Sequence, residues 1–229
     1  MNVKAVGLIV VLFLAGCGNG VNQSVDIDPG SERHQDFRTV NGTITVGEAA
    51  RVEGVLETVN GGIRVGPEAE IGRAETVNGS IRVEDGATTA HLTTVNGNIR
   101  IASNVVIDGN LKTVNGAIGL GQGSRLNGDL SNFNGGITIE GGHVAGNVST
   151  RTGDIRIIDG ARIEGDVHVQ ARSRGDVQRD VRVVIGREAV VEGTLRMDRR
   201  VQLLVHESAQ VGDIQGAEAE TFTGDEPRR

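Results

Sequence analysis

Thr58-Val59-Asn60-Gly61-Gly62-Ile63-Arg64-Val65 returns 18 residues later as Thr76-Val77-Asn78-Gly79-Ser80-Ile81-Arg82-Val83. It returns again as Thr94-Val95-Asn96-Gly97-Asn98-Ile99-Arg100-Ile101. The Asn-Gly pair marks the series at Asn41, Asn60, Asn78, Asn96, Asn115 and Asn134, and Thr152-Gly153 continues it in altered form. Successive markers lie 18 or 19 residues apart. A period that short and steady describes stacked units, each too small to bury its own apolar face.

Each marker leads into an apolar-x-apolar triplet, as in Ile44-Thr45-Val46, Ile118-Gly119-Leu120 and Ile155-Arg156-Ile157. Six residues past the triplet stands another apolar residue, at Val52, Ile71, Leu126 and Ile163. A small residue often sits two before it, as at Ala50, Ala69 and Ala161. A glycine then precedes a third apolar position in Gly109-Asn110-Leu111, Gly128-Asp129-Leu130 and Gly165-Asp166-Val167. Two-residue alternation in short bursts between glycines is strand chemistry. No window carries the apolar spacing of a helix.

Three short strands and three corners per repeat predict an all-β fold, a single-stranded parallel β-helix (β-solenoid) of about nine coils of 18–19 residues. At about 4.8 Å per coil the rod is on the order of 43 Å long. Four phenylalanines are the only Phe, Tyr or Trp residues, so aliphatic side chains must fill a narrow core. Val183-Val184-Ile185 repeats Ile155-Arg156-Ile157 at an offset of 28 residues, which places an insertion near 170–180.

The alternation cannot hold through Thr-Val-Asn-Gly. Counted forward from Leu56 it turns Thr58 and Asn60 inward, and counted back from Ile63 it turns them outward. A corner therefore falls inside the motif. Glycine accepts the positive φ that such a corner often needs, and asparagine tolerates it better than most residues, so the Asn-Gly pair is expected to supply it. The structural Asn-Gly corners Asn41, Asn60, Asn78, Asn96, Asn115 and Asn134 are expected to form a hydrogen-bonded ladder.

The ends of the chain differ from the repeat. Lys4 precedes an apolar run from Ala5 to Leu14, shorter than the roughly 20 residues of a spanning helix and typical of a signal-peptide core. The run closes on Leu14-Ala15-Gly16-Cys17, which resembles the bacterial lipobox. That resemblance implies a signal peptide over 1–16 and acylation of Cys17, the single cysteine. By the same resemblance, to enterobacterial lipoprotein sorting, Gly18 in place of aspartate implies the outer membrane rather than the inner. Residues 17–37 read as a polar tether, 38–215 as the solenoid and 216–229 as an acidic flexible tail. Acyl chains anchor the chain at about 0.8 kcal/mol per buried CH2, so the membrane is an expected partner.

The order in Ile155-Arg156-Ile157-Ile158-Asp159-Gly160-Ala161-Arg162-Ile163-Glu164-Gly165-Asp166-Val167 resembles the bactofilins, a family of polymer-forming bacterial β-helix proteins. The Asn-Gly-x-Ile-x-Val element is similar to the repeats of adhesin-type envelope β-solenoids. The resemblance covers about residues 38–215. It implies a right-handed winding, self-association through open coil ends, and no catalytic residues to carry over.

The residues themselves bring together no recognisable catalytic constellation. His34, His91, His143, His168 and His206 fall at different places in the coil and lack metal-ligand spacing. A stacked acid pair such as Glu57 and Glu75 could imitate a polysaccharide-cleaving site, but acids at turns are ordinarily solvated. The expectation is a non-enzymatic structural or adhesin-like binding module with no cofactor and no metal. A polymer-forming scaffold is the alternative, and a polysaccharide-acting enzyme is the third reading. The chain carries a net charge of −7, which argues against nucleic-acid binding. Arg64, Arg82 and Arg100 share one outward position in successive coils. With Arg172, Arg174 and Arg179 of the insertion they are the candidate anion-binding residues, for an envelope polysaccharide or an acidic protein.

Overall fold

The computed structural model describes residues 19–171, 180–225 and 227, and among these every regular element is a strand. The strands form three parallel sheets of eleven, eleven and ten strands. Neighbours in each sheet come from successive coils, so the chain completes ten coils and begins an eleventh. This is a parallel β-solenoid, as the repeat predicts.

Register places like on like. Ile44, Ile63, Ile81, Ile99, Ile118 and Ile137 stack directly upon one another in the second sheet. Leu56, Ala74, Leu92, Leu111 and Leu130 do so in the first. Val52, Ile71, Thr89, Ile107, Leu126 and Val144 form the third column. All of them are buried, most completely. Burial of such side chains is the main favourable term, at about 25 cal/mol per Å2 of apolar surface. Ala50, Ala69, Ala87, Ala161 and Ala189 are also fully buried where the chain rounds the corner before the third sheet. Ser124 and Val105 take the same buried place in other coils, so the bend favours small side chains but admits a valine.

All nine expected coils are present, and the structure adds a strand set at each end. Asn19–Gly20, Val25–Ile27 and Glu32–Arg33 pair with the next coil inside the segment read as a tether. Val25 and Ile27 lie in register with Ile44 and Val46, and Ile27 is buried. The tether boundary at residue 37 is therefore too late. At the other end, Ala219–Phe222 pairs with Val201–His206 inside the segment read as a flexible tail. Residues 172–179, which hold most of the inferred insertion, lie outside the described residues, as does Cys17 with the whole signal segment. The strands on either side are in register across the insertion, with Ile155 on Val183 and Ile157 on Ile185. Among the described residues no helix is long and apolar enough to cross a membrane.

The corner motif resolves in an unexpected way. Thr58, Thr76, Thr94 and Thr113 turn inward and are buried. Each hydroxyl donates to the carbonyl of the corner glycine one coil below, at 2.8–3.0 Å. The asparagines two residues on are exposed, so the corner lies between them. The motif glycines do not carry positive φ, apart from Gly135. That expectation is corrected by close approach: a Cβ on Gly61, Gly79, Gly97 or Gly116 would collide with the carbonyl oxygen of the glycine beneath. Glycine is needed because consecutive corners stack backbone on backbone. Positive φ belongs to another corner, at Gly30, Ala49, Glu68, Gly86, Asn104 and Gly123 in successive coils.

Candidate functional site

The outer surface of a solenoid is a set of parallel side-chain columns, and three of them carry chemistry. The first is the asparagine ladder. Asn41 Nδ2 donates to Asn22 Oδ1 at 2.7 Å, and the pattern repeats upward through Asn60, Asn78, Asn96 and Asn115 at 2.8–2.9 Å. Asn134 closes on Asn115 at 3.5 Å, and Thr152 Oγ1 caps the column by donating to Asn134 Oδ1 at 2.9 Å. Asn22 belongs to the ladder although sequence reading missed it. Gln23 follows it instead of glycine, so the Asn-Gly marker is absent there.

The second is the arginine column on the second sheet. Arg64, Arg82 and Arg100 lie in direct register on consecutive strands, all exposed. Strand spacing puts their stems about 4.8 Å apart. Arg82 Nε pairs with Glu84 Oε1 at 2.9 Å. Arg64 and Arg100 form no ion pair among the described residues. The next position up is Gly119, where a Cβ would meet nothing within 4 Å. The missing side chain opens a depression of about 320 Å3 bordered by Asn98, Arg100, Thr138 and Glu140. Arg172, Arg174 and Arg179, the other candidate anion-binding residues, lie outside the described residues.

The third column is on the first sheet, where Lys112, Ser131, Ser149, His168 and Arg196 follow one another in register. The two serines form the floor of a groove of about 480 Å3 between the cationic ends. Its wall is a second ladder. The Oδ1 atoms of Asn110, Asp129, Asn147 and Asp166 accept the backbone N–H of the corner residue in the next coil at 2.8–2.9 Å. Asp198 takes hydrogen bonds from His168 and Arg196, which hold its carboxyl below the usual range.

Glu57 and Glu75, the stacked acids, are adjacent on the first sheet as expected. Each faces an arginine instead of an open cleft: Arg38 Nε lies 3.0 Å from Glu57, and Arg73 lies 3.4 Å from Glu75. The hydrogen bond to Glu57 raises the Arg38 pKa further above its ordinary value.

One cluster escaped the sequence reading. Glu32, His34 and Glu53 bring their ligand atoms within 4.8 Å of one another on the exposed surface. His34 Nδ1 lies 2.7 Å from Glu53, a hydrogen bond that raises the imidazole pKa and lowers that of Glu53. Arg51 adds a cation at 3.7 Å from Glu53. Each acid thus already has a side-chain partner, and the arrangement reads as a surface polar network. It was missed because residues 32–34 were assigned to the tether, so the coil that stacks His34 beneath Glu53 was not counted.

No family model matches the chain, and no curated protein or solved structure is significantly similar to it. The fold and its side-chain columns define the class: a parallel β-solenoid with polar ladders at its corners.

Proposed function

We propose that the protein is a non-enzymatic cell-envelope lipoprotein whose solenoid is a rigid binding module for linear anionic polymers. The carrying observation is the column Arg64, Arg82 and Arg100, in register on three consecutive strands, with Arg64 and Arg100 free of acidic partners among the described residues. Like charges stacked at one strand spacing repel unless an anion is shared between them. A linear polyanion offers such shared charge along the rod, and the depression at Gly119 gives it relief to grip. The lipobox resemblance at Cys17 supports attachment to a membrane surface, with the outer membrane as the expected location. An envelope polysaccharide bearing carboxylates or phosphates fits this chemistry.

The experiment is titration of the full chain with polygalacturonate at low salt, against a variant with Arg64→Ala, Arg82→Ala and Arg100→Ala combined. At about 1 kcal/mol per cation near an anionic surface, binding should weaken between tenfold and on the order of a hundredfold. Added salt should weaken the parent in the same direction. Equal affinity of the two proteins would remove the arginine column from the function.

A second reading, end-to-end assembly, rests on the terminal coils. Val25 in the first coil and Ala209, Val211, Ile214 and Ala217 at the last are only partly buried against the core. Among the described residues nothing covers these apolar ends or pairs with their strand edges, an arrangement that favours pairing with another chain. Sedimentation velocity across protein concentration is expected to show a series of elongated species if this reading holds. A single elongated monomer at every concentration would eliminate it.

A further inference from the structure

We propose that Asn134-Gly135 is a self-modification site, the position in the asparagine ladder at which the chain deamidates through a cyclic imide. The reaction needs no partner other than water. The backbone nitrogen of Gly135, on losing its proton, attacks Cγ of Asn134. A N–Cγ bond forms, the Cγ–Nδ2 bond breaks, and ammonia leaves with the proton. Water then opens the imide at either carbonyl, giving an aspartyl or an isoaspartyl residue. Asparagine is a thermolabile residue. A following glycine exposes the attacking nitrogen because it has no side chain to shield it.

Six such pairs line the corner, at Asn41, Asn60, Asn78, Asn96, Asn115 and Asn134. To react, the side-chain amide must leave the ladder and turn towards the following nitrogen. For the rungs from Asn41 to Asn96 this breaks one donated and one accepted amide–amide bond, each of 2.7–2.9 Å. Asn115 keeps its donated bond at 2.9 Å. Asn134 alone donates at 3.5 Å, the limit of a hydrogen bond. Above it stands the Thr152 hydroxyl, whose proton is shared between Asn134 Oδ1 at 2.9 Å and Phe133 O at 3.1 Å.

The nucleophile is also less restrained there than at the two rungs directly below. Gly97 N and Gly116 N donate to the Asn115 and Asn134 carbonyls of the next coil at 3.1 and 2.9 Å. Gly135 N, like Gly42, Gly61 and Gly79 N lower in the ladder, makes no corresponding bond among the described residues. Gly135 is also the single motif glycine with positive φ, at 135°. The corner has thus already departed from the geometry that holds the rungs below. Asn127-Gly128, a further pair outside the ladder, is held at both ends of its amide by Asp108 and Arg125 at 2.9 and 3.0 Å.

The consequence for the fold is local. A carboxylate at position 134 can still accept from Thr152 but has no proton to donate to Asn115 Oδ1. The isoaspartyl product adds a backbone carbon at a corner where Gly135 already packs on Gly116 O. The ladder would then end one coil earlier, beside the exposed Phe133.

The test is incubation of the full chain in mildly alkaline buffer, followed by proteolytic peptide mapping that scores the amide-to-acid mass gain and isoaspartate at each corner pair. Position 134 is expected to convert about tenfold faster than each rung from Asn41 to Asn115, the factor that one net hydrogen bond supplies. The variant Thr152→Asn lengthens the ladder with the residue used in every preceding coil. It should slow conversion at position 134 and transfer the fast site to position 152. Equal conversion at all six pairs, a lower rung converting first, or a rate at position 134 unmoved by Thr152→Asn would each overturn the assignment.

Discussion

Gly97→Ala is expected to destabilise the solenoid by about 3 kcal/mol or more, near the upper end for the addition of one methyl group. A Cβ at Gly97 would overlap the carbonyl oxygen of Gly79, which is itself the acceptor for the buried Thr94 hydroxyl at 2.8 Å. Overpacking against a side chain can be relieved by a rotamer change, but here the colliding atom is backbone. The backbone cannot retreat without opening the coil. Coils above and below hold it, through Asn96 on Asn78 and Asn115 on Asn96, both at 2.9 Å. Gly119→Ala is the matching control, since its Cβ meets nothing within 4 Å. That change should be neutral, or stabilising by up to about 1 kcal/mol through the less flexible unfolded chain. Urea denaturation of both variants checks the pair. A loss below about 1 kcal/mol for Gly97→Ala would show that the corner can relax.

Leu111→Ala should cost about 2–5 kcal/mol. Leu111 is fully buried and lies in register between Leu92 and Leu130, themselves fully buried. Truncation leaves a void in a column only one side chain wide. The ladders that fix the coil spacing prevent the two leucines from closing on it. Ile214→Ala in the last coil is the contrast, because Ile214 is only partly buried and has no described coil stacked above it. Its cost should be clearly smaller. Solenoids unfold as chains of nearest-neighbour units, so the two losses report different parts of the rod. Equal losses at the two sites would mean that the end coil is as tightly packed as the centre.

Most of the fold can be read from the spacing of Thr-Val-Asn-Gly. A fixed period stacks equivalent residues, so the inward columns at Ile63, Ile81 and Ile99 follow from counting, as does the outward column at Arg64, Arg82 and Arg100. The asparagine ladder follows for the same reason. What counting missed lies where the marker fails. Asn22 is a ladder rung without a following glycine, and Ala219–Phe222 is a strand with few of the usual apolar residues. Glu32, His34 and Glu53 come together only because that uncounted first coil exists.

Which residues stand above which follows from the repeat alone, because an 18- or 19-residue period leaves a parallel stack no other register. What happens between the layers is visible only in the folded rod. The distance from one corner to the next makes glycine a requirement of close contact and not of φ at Gly61, Gly79, Gly97 and Gly116. That same distance lets a buried threonine hydroxyl reach the carbonyl beneath it. It also separates Asn134 from the five tighter rungs below, a difference of fractions of an ångström between residues whose local sequence is nearly the same.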